Sequence, residues 1–274
     1  MTNQSIHGRR REVAAAAGLG AGFISGLLGG GGGSVMIPLM TGPMKMPQHV
    51  AHGTSLVVIT VTALVAAIAY SLNESLSYSL ILALGAGATV GAYLGARGAS
   101  KIPALQLRQL FGIFLIAISI RILFWQHIDP LIETHGWRET SAATAIGLVG
   151  GVTSGALGVG GGSIFVPALV LGLGVGQHEA QGISLWVVVA ASISGGWTHY
   201  RIGTVDIEAA RWIAPAALPG AIIGAVVAAF MGGRTLQVVF AAVLIAIGAQ
   251  MLVTARRRLR RDRQDRIALA AESA

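Results

Sequence analysis

Long apolar stretches recur along the whole chain, at roughly 13–42, 50–70, 78–96, 105–125, 141–172, 182–198, 209–231 and 236–254. Most reach the roughly 20 residues that cross a bilayer as helix. Backbone groups in lipid are satisfied only inside helices or closed barrels, and these runs lack the two-residue alternation of barrel strands. Of the 274 residues 11% are charged, against roughly 25% in an ordinary soluble domain. That is too little polar surface for a water-facing globule. The fold class is therefore all-α, a polytopic transmembrane helical bundle. A secretory signal is also set aside, because the first apolar run continues into the most distinctive motif of the sequence.

The formal charge of +8 sits mostly in the tails. Arg9, Arg10 and Arg11 stand against Glu12, and seven arginines stand against Asp262 and Asp265 within 256–266. This is an orientation signal that places both termini in the cytoplasm, and no nucleic-acid partner is implied. If all eight segments crossed, the acidic loop 126–140, with Asp129, Glu133 and Glu139, would fall inside and the Arg97, Lys101, Arg108 cluster outside. If the first and fifth segments instead dip in and return on the same side, the cluster lies inside and the loop outside, and only Arg234 dissents. The sequence thus predicts six full crossings plus two hairpins, re-entrant or built from broken helices that jointly span. The organisation is a basic cytoplasmic tail (1–12), a first membrane unit (13–124), an external loop (125–140), a second unit (141–254) and an Arg-rich cytoplasmic tail (255–274).

Sliding the sequence on itself by 129 residues aligns 18–56 with 147–185, identical at 18 of 39 sites without a gap. Ser25/Ser154, Gly29/Gly158, Ser34/Ser163, Pro38/Pro167, His49/His178 and Ser55/Ser184 are among the identities. Each unit crosses an odd number of times on this reading, so the copies are inverted repeats, each carrying a Gly-rich broken or re-entrant helix. The run Gly29–Gly33 cannot stay helical, since consecutive glycines lose the most backbone entropy. Inside a membrane the freed amides must meet a ligand, water or protein. The half-helix restarting near Ser34, with Ser34 placed as its N-cap, offers free N–H groups and a positive dipole end to an anion. Gly160, Gly161, Gly162 and Ser163 are expected to present the same groups from the opposite side. The spaced pairs Gly91/Gly95 and Gly220/Gly224 read as helix packing.

No Asp or Glu lies well inside an apolar segment. Neutral donors and helix termini select an anion, and no metal or cofactor site is read here, cysteine being absent. The candidate binding residues are Ser25, Gly31, Gly32, Gly33, Ser34, His52, Thr54 and Ser55 in the first copy. In the second they are Ser154, Gly160, Gly161, Gly162, Ser163, Gln181 and Ser184. His49, His178 and Arg121 are candidates for a proton or gating role, with interfacial snorkelling the competing reading for Arg121.

The paired Ser-Gly-x-x-Gly-x-Gly-Gly-Gly-Ser stretches, each with a Pro four residues on and an Ala-x-Gly-x-Ser-Leu (Ala51–Leu56, Ala180–Leu185), resemble the sulfite exporter TauE/SafE family. Tyr200, Gly203, Val205 and Asp206 resemble that family's pattern at the end of the second copy, while the first copy, at Tyr70–Glu74, lacks the Gly-x-Val-Asp ending. The resemblance spans about residues 13–254 and implicates the two glycine motifs and their serines. It implies a multi-pass protein of the bacterial cell (inner) membrane, a secondary transporter that exports sulfite or an organosulfonate by alternating access. A coupling ion, proton or sodium, the lipid bilayer and a homo-oligomer belong to the same expectation. The alternatives are an anion channel and an intramembrane serine hydrolase using Ser25 or Ser154 with His52 or His199; the chain is expected not to be an enzyme.

Overall fold

In the computed structural model, residues 3–99, 104–124 and 136–272 are described, and among them the chain is helical with no strand. The first unit comprises α1 (Asn3–Leu28), α2 (Gly33–Thr41), α3 (Gln48–Asn73), α4 (Tyr78–Gly98) and α5 (Ala104–Phe124). The second comprises α6 (Trp137–Leu157), α7 (Gly162–Pro167), α8 (Gln177–Arg201), α9 (Ile207–Phe230) and α10 (Gly233–Glu272). Residues 3–12 continue α1 and residues 255–272 continue α10 as helix. Lys101 and most of the expected external loop, 125–135, lie outside the described residues.

Among the described residues six helices are long and apolar enough to cross a membrane: α3, α4, α6, α8, α9 and the 233–256 part of α10. The number agrees with the sequence reading, but the membership differs. α6, which was expected as half of a hairpin, is among the six. α6 is longer because it begins before the apolar run, with Glu139 in a polar first turn that suits the positive end of the helix dipole. The two halves of each broken segment are therefore unequal, a long entering helix and a short returning one.

Packing between the copies rests on missing side chains. On α1, Gly18, Gly22 and Gly26 lie directly against the carbonyl oxygens of Ile213, Ala217 and Ala221 on α9. Gly220 and Gly224 on α9 answer against those of Leu19 and Phe23. The same zipper joins α4 to α6: Gly87, Gly91 and Gly95 face the carbonyls of Thr144, Leu148 and Val152, and Gly147, Gly151 and Gly155 face those of Leu84, Ala88 and Ala92. Each pair runs in one direction, with backbones close enough that dispersion and Cα–H···O contacts replace a hydrophobic driving force that lipid cannot supply. The pairs expected to be packing glycines, Gly91/Gly95 and Gly220/Gly224, occupy this role.

At the centre α3 and α8 cross antiparallel. Thr60 Oγ1 donates to Ser192 Oγ at 3.0 Å, and Tyr70 Oη donates to Gln181 Oε1. Gly53 near the start of α3 meets the carbonyl of Thr204, while its counterpart Gly182 near the start of α8 meets Leu76. One end of the bundle therefore gathers the start of α3 and the end of α8, and the other end gathers the reverse. Arg234, the dissenting charge, donates to the carbonyls of Ile122 at 3.2 Å and Leu123 at 2.8 Å. It closes the last turn of α5, a local structural task.

A leucine at Gly26 would drive a side chain into the Ala221 carbonyl. Gly26→Leu should lower stability by about 1–3 kcal/mol or more. Gly20→Ala, which meets open space, should leave the thermal midpoint of the detergent-solubilised protein unchanged or slightly raised.

Candidate functional site

α1 ends because Gly29 turns left-handed, φ 66°, and its N–H bonds to the Ser25 carbonyl at 3.0 Å. α6 ends in the same way, with Gly158 at φ 67° bonded to the Ser154 carbonyl at 2.8 Å. Gly31 (80°) and Gly32 (68°) repeat the left-handed conformation, as do Gly160 (92°) and Gly161 (82°). Three positions per copy thus demand glycine. Gly30/Val159 and Gly33/Gly162 are the two pairs outside that set, and of these only Gly30 has room for a side chain, which is why valine can stand in the second copy.

The two breaks cross each other backbone to backbone. Gly162 has the Gly29 carbonyl and Gly30 Cα beside it; Gly33 has the Gly158 carbonyl and Val159. Reciprocal side chains close the crossing. Ser55 Oγ donates to the Gly158 carbonyl at 2.7 Å, a proton it shares with the His52 carbonyl at 2.8 Å, and Ser184 Oγ donates to the Gly29 carbonyl at 2.9 Å. His52 lies over Gly158 and Gln181, its counterpart, over Gly29. Ile59 of α3 and Val188 of α8 press on Gly31 from the two copies.

The returning arms differ from the sequence expectation in two respects. Ser34 is not the N-cap of α2. Gly32 occupies that place without a side-chain cap, its carbonyl accepting from Val35 and Met36, and Ser34 lies inside the first turn. The positive φ that the tight return requires puts glycine, not serine, at the cap. Nor do the copies present equal groups: α7 has only six residues and passes after Pro167, which lacks an N–H, into a π-helical turn, Ala168–Gly172.

Around the crossing stand polar atoms without partners. Ser25 and Ser154 are fully buried and Ser163 nearly so, and the Oγ of each has no hydrogen bond; Gln181 Nε2 and both side-chain polar atoms of Gln177 are likewise unpaired. Ser25 packs against Gly32. Beside α2 a cavity of about 280 Å³ is lined by Ser34, Pro38 and Thr41, by Val159 of the other copy, and by Gln250 and Thr254 of α10. Among the described residues every buried polar side chain is Ser, Thr, Gln or His, with no Asp, Glu, Lys or Arg.

Other candidates have structural neighbours. Thr54 Oγ1 accepts from the Asp206 N–H at 2.9 Å, and Asp206 in turn caps α9 through Ala209 N–H at 2.9 Å. His178 Nε2 bonds to the Ala228 carbonyl at 3.2 Å. His49 is exposed in the first turn of α3, and Arg121 is half-buried in the last turn of α5. The ring nitrogens of His199 engage the Gly155 carbonyl (2.9 Å) and Thr204 Oγ1 (2.8 Å), and neither serine of the hydrolase alternative bonds to a histidine. Sequence reasoning assigned no site role to Ile59, Val188, Gln177 or Gln250, although the 129-residue offset matches Gln177 to Gln48 and Gln250 to Arg121.

A helical bundle whose broken helices meet among neutral polar groups at membrane depth is the build of a membrane transporter. The chain belongs to the sulfite exporter TauE/SafE family, whose model matches it twice, over residues 2–141 and 143–272. It is 29% identical over 258 residues to "Probable membrane transporter protein YunE" of Bacillus subtilis, covering 86% of this chain and 94% of that one. It is 30% identical over 207 residues to "Probable membrane transporter protein YdhB" of the same organism, covering 74% and 84%. "Probable membrane transporter protein MJ0441" of Methanocaldococcus jannaschii is 28% identical over 253 residues, covering 85% and 93%. No solved structure matches. The family and these relatives are transporters, not enzymes, as expected from the sequence.

Valine at Gly30 should be accepted, as Val159 shows. Valine at Gly32 meets a left-handed backbone, which costs roughly 1–2 kcal/mol for a residue with a Cβ, and collides with the Ala21 carbonyl. Gly30→Val should give normal yields of folded protein and Gly32→Val a severe loss, read by size-exclusion profile after solubilisation.

Proposed function

We propose that this protein is a secondary carrier that moves a small oxyanion, sulfite or an organosulfonate, by alternating access between two inverted repeats in the bacterial inner membrane. The observation that carries the reading is the set of unpartnered, fully buried hydroxyls, Ser25 and Ser154, beside two crossing glycine breaks with no buried acid among the described residues. A buried donor without a partner costs about 1–3 kcal/mol, a cost accounted for if a ligand supplies the missing acceptor. The anion meets Ser25, Ser34 and the uncapped first turn of α2, where N–H groups and the dipole favour negative charge.

The reciprocal contacts of the two copies support inversion. Residues 129 apart exchange places in the glycine zippers and in the Ser55–Gly158 and Ser184–Gly29 bonds, as a two-fold relation requires. The hairpin of α1 and α2 starts and ends at one end of the bundle and that of α6 and α7 at the other. The orientation follows from the arginine-rich tails, with both termini cytoplasmic.

The cavity beside Ser34 favours a carrier over a channel. It reaches the crossing from the end where α3 begins, while Val166, Val170 and Leu171 on the equivalent arm of the second copy are buried. Ile59 and Val188 close the crossing itself. This is a site open to one side at a time, which a rocking of one repeat against the other would open to the other.

Flux of sulfite, sulfoacetate and taurine should be measured in proteoliposomes, with trans-side anion added to detect counter-transport. Saturable, counter-transport-stimulated flux is expected; no flux or binding across the panel would overturn the reading. Ser25→Ala should weaken anion affinity about tenfold or more, the value of a hydrogen bond to a charged group. The same substitution should leave the thermal midpoint unchanged or raise it, because it removes an unpaired buried hydroxyl. A serine that served only the fold would show the opposite pattern.

A further inference from the structure

At the end of the bundle where α4 and α8 finish, a second cavity of about 370 Å³ is lined by Tyr93 and Arg97 of α4, by Trp197, Thr198 and Arg201 of α8, and by Ile202. Among the described residues no acidic side chain lines it. The two helices run side by side in the same direction, tied by Ser194 Oγ donating to the Thr89 carbonyl at 2.8 Å. Their last turns bring both guanidinium groups to one level. The Arg97 guanidinium stands 4.8 Å from the centre of the Tyr93 ring, and Trp197 packs on Tyr200 with ring centres 5.9 Å apart. Below this level the outer surface between the helices is apolar and open, with Val90, Leu94, Ile193 and Trp197 each more than half exposed.

We propose that this cavity binds the headgroup of an anionic phospholipid. The phosphodiester sits between Arg97 and Arg201, the aromatic rings hold the glycerol level, and the acyl chains run down the strip of Val90, Leu94 and Ile193. Planar guanidinium forks suit phosphate, Trp and Tyr prefer the interfacial depth, and a basic pocket between transmembrane helices is a recurrent headgroup site. The duplication supplies an internal comparison. The positions 129 residues away from Tyr93, Arg97, Trp197 and Arg201 are Ile222, Val226, Ile68 and Leu72, all apolar. The site therefore belongs to one leaflet. Orientation alone calls for arginines at that end, but not for a concave pocket with aromatic walls and an apolar trough beneath it. The inference stands apart from the identity of the transported anion.

Native mass spectrometry of the solubilised protein titrated with phosphatidylglycerol, phosphatidylcholine or inorganic phosphate tests the site. Phosphatidylglycerol should be retained at one equivalent in preference to phosphatidylcholine, and inorganic phosphate should not displace it. Arg97→Gln combined with Arg201→Gln should weaken that retention about thirty-fold, two arginine–lipid attractions being lost. Arg138→Gln, at the other end of the bundle and beside Trp137, should not weaken it. Equal retention of the two lipids, displacement by phosphate, or a double variant with unchanged retention would overturn the proposal. If the double variant is not recovered folded, the comparison of the two lipids on the unaltered protein decides.

Discussion

A helix broken inside a membrane leaves carbonyl and amide groups that no water reaches, and in this molecule each copy answers for the other. The Gly29 carbonyl of the first break accepts from Ser184 of the second copy, and the Gly158 carbonyl of the second break accepts from Ser55 of the first. The bonds are the same bond seen twice, because the residues are the same residues 129 positions apart. A break that would cost several kcal/mol alone in lipid becomes tolerable once its twin lies across it. What the serines of α3 and α8 leave unsatisfied, the hydroxyls of Ser25, Ser154 and Ser163, is then concentrated in one small region.

The glycine zippers serve that meeting. α1 could carry its break to the crossing only by lying along α9, and α6 only by lying along α4, since carbonyls of one helix rest where a Cβ of the other would be. Each entering helix is thus held by the opposite copy rather than its own. The copies are interlocked, and Ile59 and Val188, one from each, meet at the place where the two breaks cross.

Much of this was legible in the residues. The apolar runs gave the fold class, the offset gave the duplication, and the contiguous glycines gave the breaks, because a run such as Gly29–Gly33 has no other stable use at membrane depth. The zipper glycines Gly91, Gly95, Gly220 and Gly224 were legible by their spacing, but their partners were not, since spacing marks a close approach and not what approaches. Ser34 was misplaced by two residues: capping preference points to serine, and only the positive φ at Gly32 shows that the return is too tight for it. Thr54, a candidate from the sequence, accepts from the Asp206 N–H at the start of α9, a partner that the sequence does not reveal. Gln250, marked in the sequence only as the offset partner of Arg121, lines the cavity because the fold brings it near Ser34.

The bond from Ser184 to Gly29 spans 155 residues of chain. At the usual pace of synthesis, about 5–20 residues per second, roughly 8–30 s pass between the emergence of one partner and the other. Through that interval the first hairpin is in the bilayer, or at its edge, with its carbonyl unanswered. The first half of the chain is thus made before the group that completes it exists, and the nascent protein must keep a wet or sheltered harbour for five glycines until its own second half arrives.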